Sequence, residues 1–203
     1  MPEDNYVVLT VAHDVVCPWC WVGRKQAAKL RTEFPYLSFR WVGYELLPEG
    51  LPYTPAPPAP DADRKPAVPS RFSLLLAADR LVLPHRNSQL SNSRKALEGA
   101  EYAADRGAQE EYLDALYHAY WEEDRDIDDM AVLRNIAQTA NLDVIGFENA
   151  LRSGTYSDRI VEFDDDAHAN GIWNVPTWMY PGNWVAEQPY TVLKEMTMDF
   201  LNT

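Results

Sequence analysis

The chain has 203 residues, 46% of them hydrophobic, which is enough to bury a core and too apolar for global disorder. Its 31 acids against 18 bases give a formal net charge of −13, and that charge repels phosphate backbones and anionic lipid, arguing against nucleic-acid and membrane partners. No run approaches the ~18–20 apolar residues of a membrane helix, and the acidic start is unlike a secretory signal, so residence in the cytoplasm is expected.

In chain order, YVVLTVAHDVV (6–16) is β-branched and apolar and predicts a buried strand. CWVGRKQAAKLRTEF (20–34) changes to helical spacing, with Val22, Ala27, Leu30 and Phe34 on one face and Arg24, Lys25, Lys29 and Arg31 more exposed; Pro35 stops it. LSFRWVGYEL (37–46) alternates as a second strand. Strand, helix and strand in this order predict a right-handed βαβ unit with parallel strands.

Eight of the 15 prolines fall in 47–70, which reads as a semi-rigid connector. From 70 to 154 the pattern is helical. RFSLLLAADRLVL predicts a helix ending at Pro84, and SNSRKALEGAEYAADRG one closed by Gly107. AQEEYLDALYHAYWEED carries two core stripes, Tyr112, Leu116, Tyr120 and Leu113, Tyr117, Trp121. DDMAVLRNIAQTAN is expected to stop at Asn141, and DVIGFENALRSG at Gly154. YSDRIVEFDDDAHANG (156–171) predicts a further helix, with Ile160, Phe163, Ala167 and Asn170 inward. VPTWMY and NWVAE flank PGN as an antiparallel hairpin over 176–180 and 183–187, and QPYTVLKEMTMDFL closes the chain as a helix. The order β-α-β, all-helical, α-β-β-α predicts an α/β domain with a helical insertion. Its parts would be 1–55, a connector and insertion over 56–154, and 155–203.

Both cysteines lie in VCPWC, at positions 17 and 20. The predicted strand ends at Val16, so Cys17 falls at the N-terminus of the first helix, with Pro18 in its first turn, where a missing N–H costs nothing. Residues i and i+3 share one side of a helix. The unpaired N–H groups and the positive end of the helix dipole favour thiolate over thiol. Trp19, between the cysteines, shields the site or offers an apolar platform. His13 reads as a structural strand-end histidine, with proton handling as the alternative. Zinc binding is not expected: there is no second CxxC, and histidines 13, 85, 118 and 168 lack ligand spacing. A CxxC pair beside a βαβ pattern points instead to dithiol redox chemistry.

DVVCPWCWVG, GIWNVPTWMY and VAEQPY, in this order around HAYWEEDRDIDDMAVLRNIAQTANLD, resemble the DsbA-like thioredoxin family, and most nearly its cytoplasmic FrnE-type thiol–disulfide oxidoreductases. The resemblance spans roughly 6–200 and implies a thioredoxin fold with an inserted all-helical domain. It implies that Cys17 and Cys20 are the catalytic pair and that Val175–Pro176 is a cis peptide facing them. It also implies that Trp19, Val175 and Pro176 contact substrate, with the Val175 backbone pairing with an extended segment. Asn174 and Glu187 depart from the family pattern at that edge, which puts substrate preference in doubt. No second cysteine pair is present, so no relay between disulfides is expected. Protein or small-molecule thiols and disulfides are the implied partners, with glutathione or a thioredoxin system as electron partner and no metal or organic cofactor. The alternative is a glutathione-dependent isomerase or transferase of the 2-hydroxychromene-2-carboxylate isomerase or kappa glutathione transferase type, which generally does without a cysteine pair. A non-enzymatic adaptor is the remaining reading.

Overall fold

A computed structural model describes residues 6–48, 69–84, 91–162 and 171–202. The β-branched opening forms β1 (Val7–His13), and α1 (Pro18–Glu33) and β2 (Leu37–Glu45) complete the first unit. β1 and β2 are parallel, with Val11 opposite Trp41. Five helices follow: α2 (Arg71–Asp79), α3 (Arg94–Ala104), α4 (Gln109–Trp121), α5 (Met130–Thr139) and α6 (Val144–Ser153). The chain then returns through β3 (Val161–Glu162), β4 (Thr177–Tyr180), β5 (Asn183–Ala186) and α7 (Tyr190–Leu201). The described strands form one mixed sheet in the order β3-β2-β1-β4-β5. β3 runs parallel to β2, while β4 is antiparallel to both β1 and β5. This is an α/β arrangement of the thioredoxin kind.

The core follows from the strand alternation. Leu9 and Val11 of β1 and Leu37, Phe39 and Trp41 of β2 are buried, and Trp178 of β4 lies in register with Val11. Trp41 and Trp178 meet edge to face at 6.2 Å between ring centroids, and Phe39 packs on Trp178 at 5.8 Å. Aromatic pairs of this kind contribute ~0.5–1.5 kcal/mol beyond the area they bury. Both predicted stripes of α4 are buried.

Helix α4 is bound to the sheet by polar groups as well. Gln109 brackets Trp41: its Oε1 accepts from the Trp41 backbone N–H (3.0 Å) and its Nε2 donates to the Trp41 carbonyl (2.8 Å). A side-chain amide thus stands where a neighbouring strand would pair. The Trp41 indole donates to Glu110 at 2.8 Å. Arg24, expected on the exposed face of α1, is instead buried, because its guanidinium pairs with Glu110 (2.7 Å) and Asp114 and lies 4.7 Å over the Trp41 ring. Two acids contributed from far along the chain make that burial tolerable, since a buried charge must be paired.

Two predicted helices change. α2 ends at Asp79 rather than running to Pro84: Arg80 takes a left-handed conformation (φ 56°) and Leu81 N–H bonds back to Leu76 O. The Asp79 carboxylate is held by Gln26 (2.6 Å) and the Tyr190 N–H (2.9 Å), a tertiary tie that spacing alone does not register. The helix expected over 156–171 is, over its described part, a 3-10 turn (Ser157–Arg159) followed by β3. Val161 and Glu162 find backbone partners in Tyr44 and Glu45, so pairing overrides the helical period. Ile160 is buried as expected. Phe163, Ala167 and Asn170, and most of the proline-rich connector, lie outside the described residues.

Gly99 tests how tightly α3 packs. A Cβ there would stand 2.2 Å from Tyr112 Oη and 2.9 Å from Phe147. Gly99→Ala is expected to lower the unfolding free energy by about 1–3 kcal/mol, read as a lower urea midpoint with unchanged m-value.

Candidate functional site

Strand β1 ends at His13 and the chain turns through 14–16 before α1 begins, so the turn leaves backbone groups that the sheet no longer pairs. Helix α4 meets two of them: the Tyr117 hydroxyl donates to the Asp14 carbonyl (3.2 Å) and the Trp121 indole N–H to the Val15 carbonyl (2.8 Å). Cys17 N–H closes the turn onto Asp14 O at 3.2 Å. Cys17 is the N-cap of α1 and Pro18 its first residue. Both thiols are free and buried; Cys17 keeps 6% of its surface exposed and Cys20 none.

The Cys17 Sγ donates to the Val175 carbonyl at 3.4 Å. The Val175–Pro176 peptide bond is cis, and Gly23, on the first turns of α1, lets Pro176 approach: a Cβ at Gly23 would sit 3.1 Å from the Pro176 Cγ. The structure therefore brings Cys17, Cys20, Val175 and Pro176 together. Trp19 is half-buried at the rim, with its ring 4.9 Å from Phe72 of α2. Asn174 and Glu187, the two departures from the family pattern, bond to each other: Asn174 Nδ2 donates to Glu187 Oε1 at 2.8 Å. Glu187 has a left-handed backbone (φ 55°), which costs a non-glycine residue ~1–2 kcal/mol. Its other carboxylate oxygen lies 3.1 Å from Arg71.

Burial raises the Cys20 thiol well above its ordinary range, and the neighbouring Cys17 adds to the shift. Asp14, wholly buried, is raised to about 6 by desolvation, although Leu46 N–H, Ser93 Oγ and Val16 N–H all donate to its carboxylate. His13 is lowered to about 3 by desolvation, with Arg24 and Arg40 adding to it. Its Nδ1 lies 2.9 Å from Tyr117 Oη. Because the Tyr117 proton goes to Asp14 O, the tautomer that fits carries its proton on Nδ1. His13 Nε2 is then an acceptor without a partner among the described residues. A ring so enclosed is neutral at neutral pH. Asp14, Tyr117 and Phe72 were not singled out from sequence as site residues; an acid immediately before a dithiol turn was the one available signal. Among the described residues no group of three or more His, Cys, Asp or Glu side chains could hold a metal ion, and no helix is long and apolar enough to cross a membrane.

A family model described as the DSBA-like thioredoxin domain matches residues 8–197. The fold is similar to a probable DsbA oxidoreductase from Streptomyces coelicolor (TM-score 0.71, 21% identity, covering 96% of this chain and 90% of that one). It is also similar to the cytosolic disulfide reductase DsbM from Pseudomonas aeruginosa, solved with GSH (TM-score 0.61, 16% identity, 95% and 100% covered). A 2-hydroxychromene-2-carboxylate isomerase is as near in fold (TM-score 0.62, 15% identity, 96% of each chain covered).

The buried pair His13 and Asp14 gives opposite pH slopes. His13 is held neutral, so its contribution is complete above about pH 6.5 and is lost as pH falls toward 3, when the unfolded chain takes a proton that the folded one refuses. Asp14 works the other way: its folded pKa lies above the usual 3.8, so stability falls as pH rises from about 4 to 6. His13→Gln, which can still donate to Tyr117, is expected to remove about 4 kcal/mol of acid-induced destabilisation between pH 6.5 and 3. Urea denaturation across that range checks it.

Proposed function

The chain belongs to the DSBA-like thioredoxin domain family, and on that premise we propose that Cys17 and Cys20 form a thiol–disulfide exchange centre acting on protein or small-molecule disulfides and thiols. The observation that carries the proposal is the Cys17 thiol at a helix N-terminus, 3.4 Å from the Val175 carbonyl, with Cys20 buried behind it.

In the reductive direction the Cys17 thiolate attacks one sulfur of a substrate disulfide. A Cys17–substrate disulfide forms and the other substrate sulfur leaves as a thiolate. Cys20 then loses its proton and attacks the Cys17 sulfur. The Cys17–Cys20 bond forms, the substrate sulfur leaves, and two electrons have passed from the protein to the substrate. The reverse sequence oxidises a substrate dithiol. An external thiol, glutathione or a thioredoxin system, restores the starting state in the reductive cycle; the DsbM neighbour with GSH supports a glutathione-type partner.

The residues around the pair divide these tasks. Cys17 caps the N-terminus of α1, the end of a helix at which an anion is favoured. When Cys17 gives up its proton, the Val175 carbonyl loses its donor and becomes free to accept an N–H from an extended substrate segment. Cys20 is kept protonated by burial until it is needed, and the neighbouring Cys17 and the charge of Asp14 add to that shift. Trp19 supplies an apolar wall at the rim. We place the activity in the cytoplasm, where a reducing thiol pool keeps the pair reduced. We also assign the segment from the connector through α6 to an insertion carried by the thioredoxin-like part.

Cys17→Ser is expected to reduce glutathione-coupled turnover of insulin or of a small disulfide to the uncatalysed rate. Cys20→Ser should retain the first step and accumulate a Cys17 mixed disulfide, detected by intact mass. Undiminished turnover in Cys17→Ser would refute the proposal. Isomerisation or conjugation that survives Cys20→Ser would favour the glutathione-dependent isomerase or transferase reading.

A further inference from the structure

Helix α2 stands in an unusual relation to the dithiol. Of its nine residues only Leu75 is buried. Its C-terminal end is fixed: Asp79 is held by Gln26 of α1 and by the Tyr190 N–H at the start of α7, and Arg80 ends the helix in a left-handed turn. The contacts of its first turn go elsewhere. Phe72 packs on Trp19 at 4.9 Å, and Arg71 pairs with Glu187 at 3.1 Å, which in turn accepts from Asn174. Trp19 and Asn174 belong to the two strips of chain that frame the Cys17 sulfur. Trp19 lies in the cysteine turn itself, and Asn174 is next to Val175, whose carbonyl takes the Cys17 thiol. The first turn of α2 thus bridges both sides of the approach to Cys17, which keeps only 6% of its surface exposed.

We propose that Phe72 and Arg71 are the specificity-determining residues of the dithiol site: by holding the first turn of α2 across Trp19 and Asn174, they admit low-molecular-weight disulfides to Cys17 and hold back disulfides carried on folded protein surfaces. The inference rests on the thiol–disulfide reading above for its substrates, but the arrangement that produces it does not depend on that chemistry. A narrow disulfide reaches the sulfur beside the closed turn. A bulky one needs the first turn to open away from Trp19 and Glu187 while Leu75 stays in the core, breaking one aromatic pair and one ion pair. The ion pair is weak because the Arg71 side chain is 78% exposed. The Phe72–Trp19 contact is then the main restraint, and local opening of so shallow a helix is expected to be frequent. Glu187 takes its left-handed backbone where its carboxylate serves Asn174 and Arg71 at once. The two departures from the family pattern are therefore parts of one device.

The test reads the accessibility of Cys17 directly. In a Cys20→Ser background, Cys17 is the sole thiol. Its alkylation by N-ethylmaleimide is compared with that by the same maleimide on a long polyethylene-glycol chain. Phe72→Ala is expected to accelerate the bulky reagent about two- to tenfold, the range an aromatic pair is worth, with the N-ethylmaleimide rate unchanged. Arg71→Ala, at an exposed position that cannot disturb the core, should act in the same direction by a smaller factor. With both cysteines present, the same substitutions should raise kcat/KM for insulin relative to glutathione disulfide. Equal acceleration of both reagents, or no change in their ratio in either variant, overturns the inference. Activity that persists in Cys17→Ser overturns the exchange reading instead, while the alkylation ratio still decides whether α2 screens the sulfur.

Discussion

The site depends on how the turn between β1 and α1 is held. A chain leaving a sheet to start a helix strands backbone carbonyls in the interior, and a buried carbonyl without a donor costs free energy comparable to a lost hydrogen bond. Here Tyr117 and Trp121 of α4 donate to the carbonyls of Asp14 and Val15. The carbonyls of 14 and 15 therefore point toward α4, and Cys17 enters α1 as its N-cap. The polarised helix end, the approach of Val175 and the burial of Cys20 all follow from that placement. Side chains more than a hundred residues away in sequence thus determine the local geometry of two cysteines three apart.

The same helix sets the electrostatics. Arg24 is drawn inward by Glu110 and Asp114, and its charge then acts on the enclosed His13 ring and helps to keep it neutral. Asp14 faces the opposite way, toward Leu46 and Ser93, and carries a carboxylate whose ionisation burial opposes. Adjacent residues at one strand end thus answer burial in opposite directions: His13 sheds its proton readily, and Asp14 keeps its own to a higher pH than an exposed carboxyl would.

Much of this was legible in the residues. The β-branched apolar run VVLTVAH, the alternation in LSFRWVGYE, the Gly and Pro punctuation and the cysteine pair at the strand–helix junction all carry local signals, and local signals survive folding. What was not legible depends on partners far apart in the chain. Arg24 reads as a solvated helix residue until Glu110 and Asp114 are placed beside it. Val161 and Glu162 read as helix until Tyr44 and Glu45 offer backbone partners. Leu81 and Leu83 continue an apolar period, yet Asp79 is already committed to Gln26 and Tyr190. Asn174 and Glu187 could be recognised as departures but not as partners.

The bracket that Gln109 forms around Trp41 has a bearing on protein engineering. One amide covers backbone groups of β2 that no described strand reaches, and it reaches them only because α4 is present. Trimming the helices to obtain a minimal redox module would uncover that edge together with the large indole beside it. An open ladder flanked by apolar surface recruits copies of itself, so the truncated product should precipitate during refolding even though every cysteine and proline of the reactive centre remained.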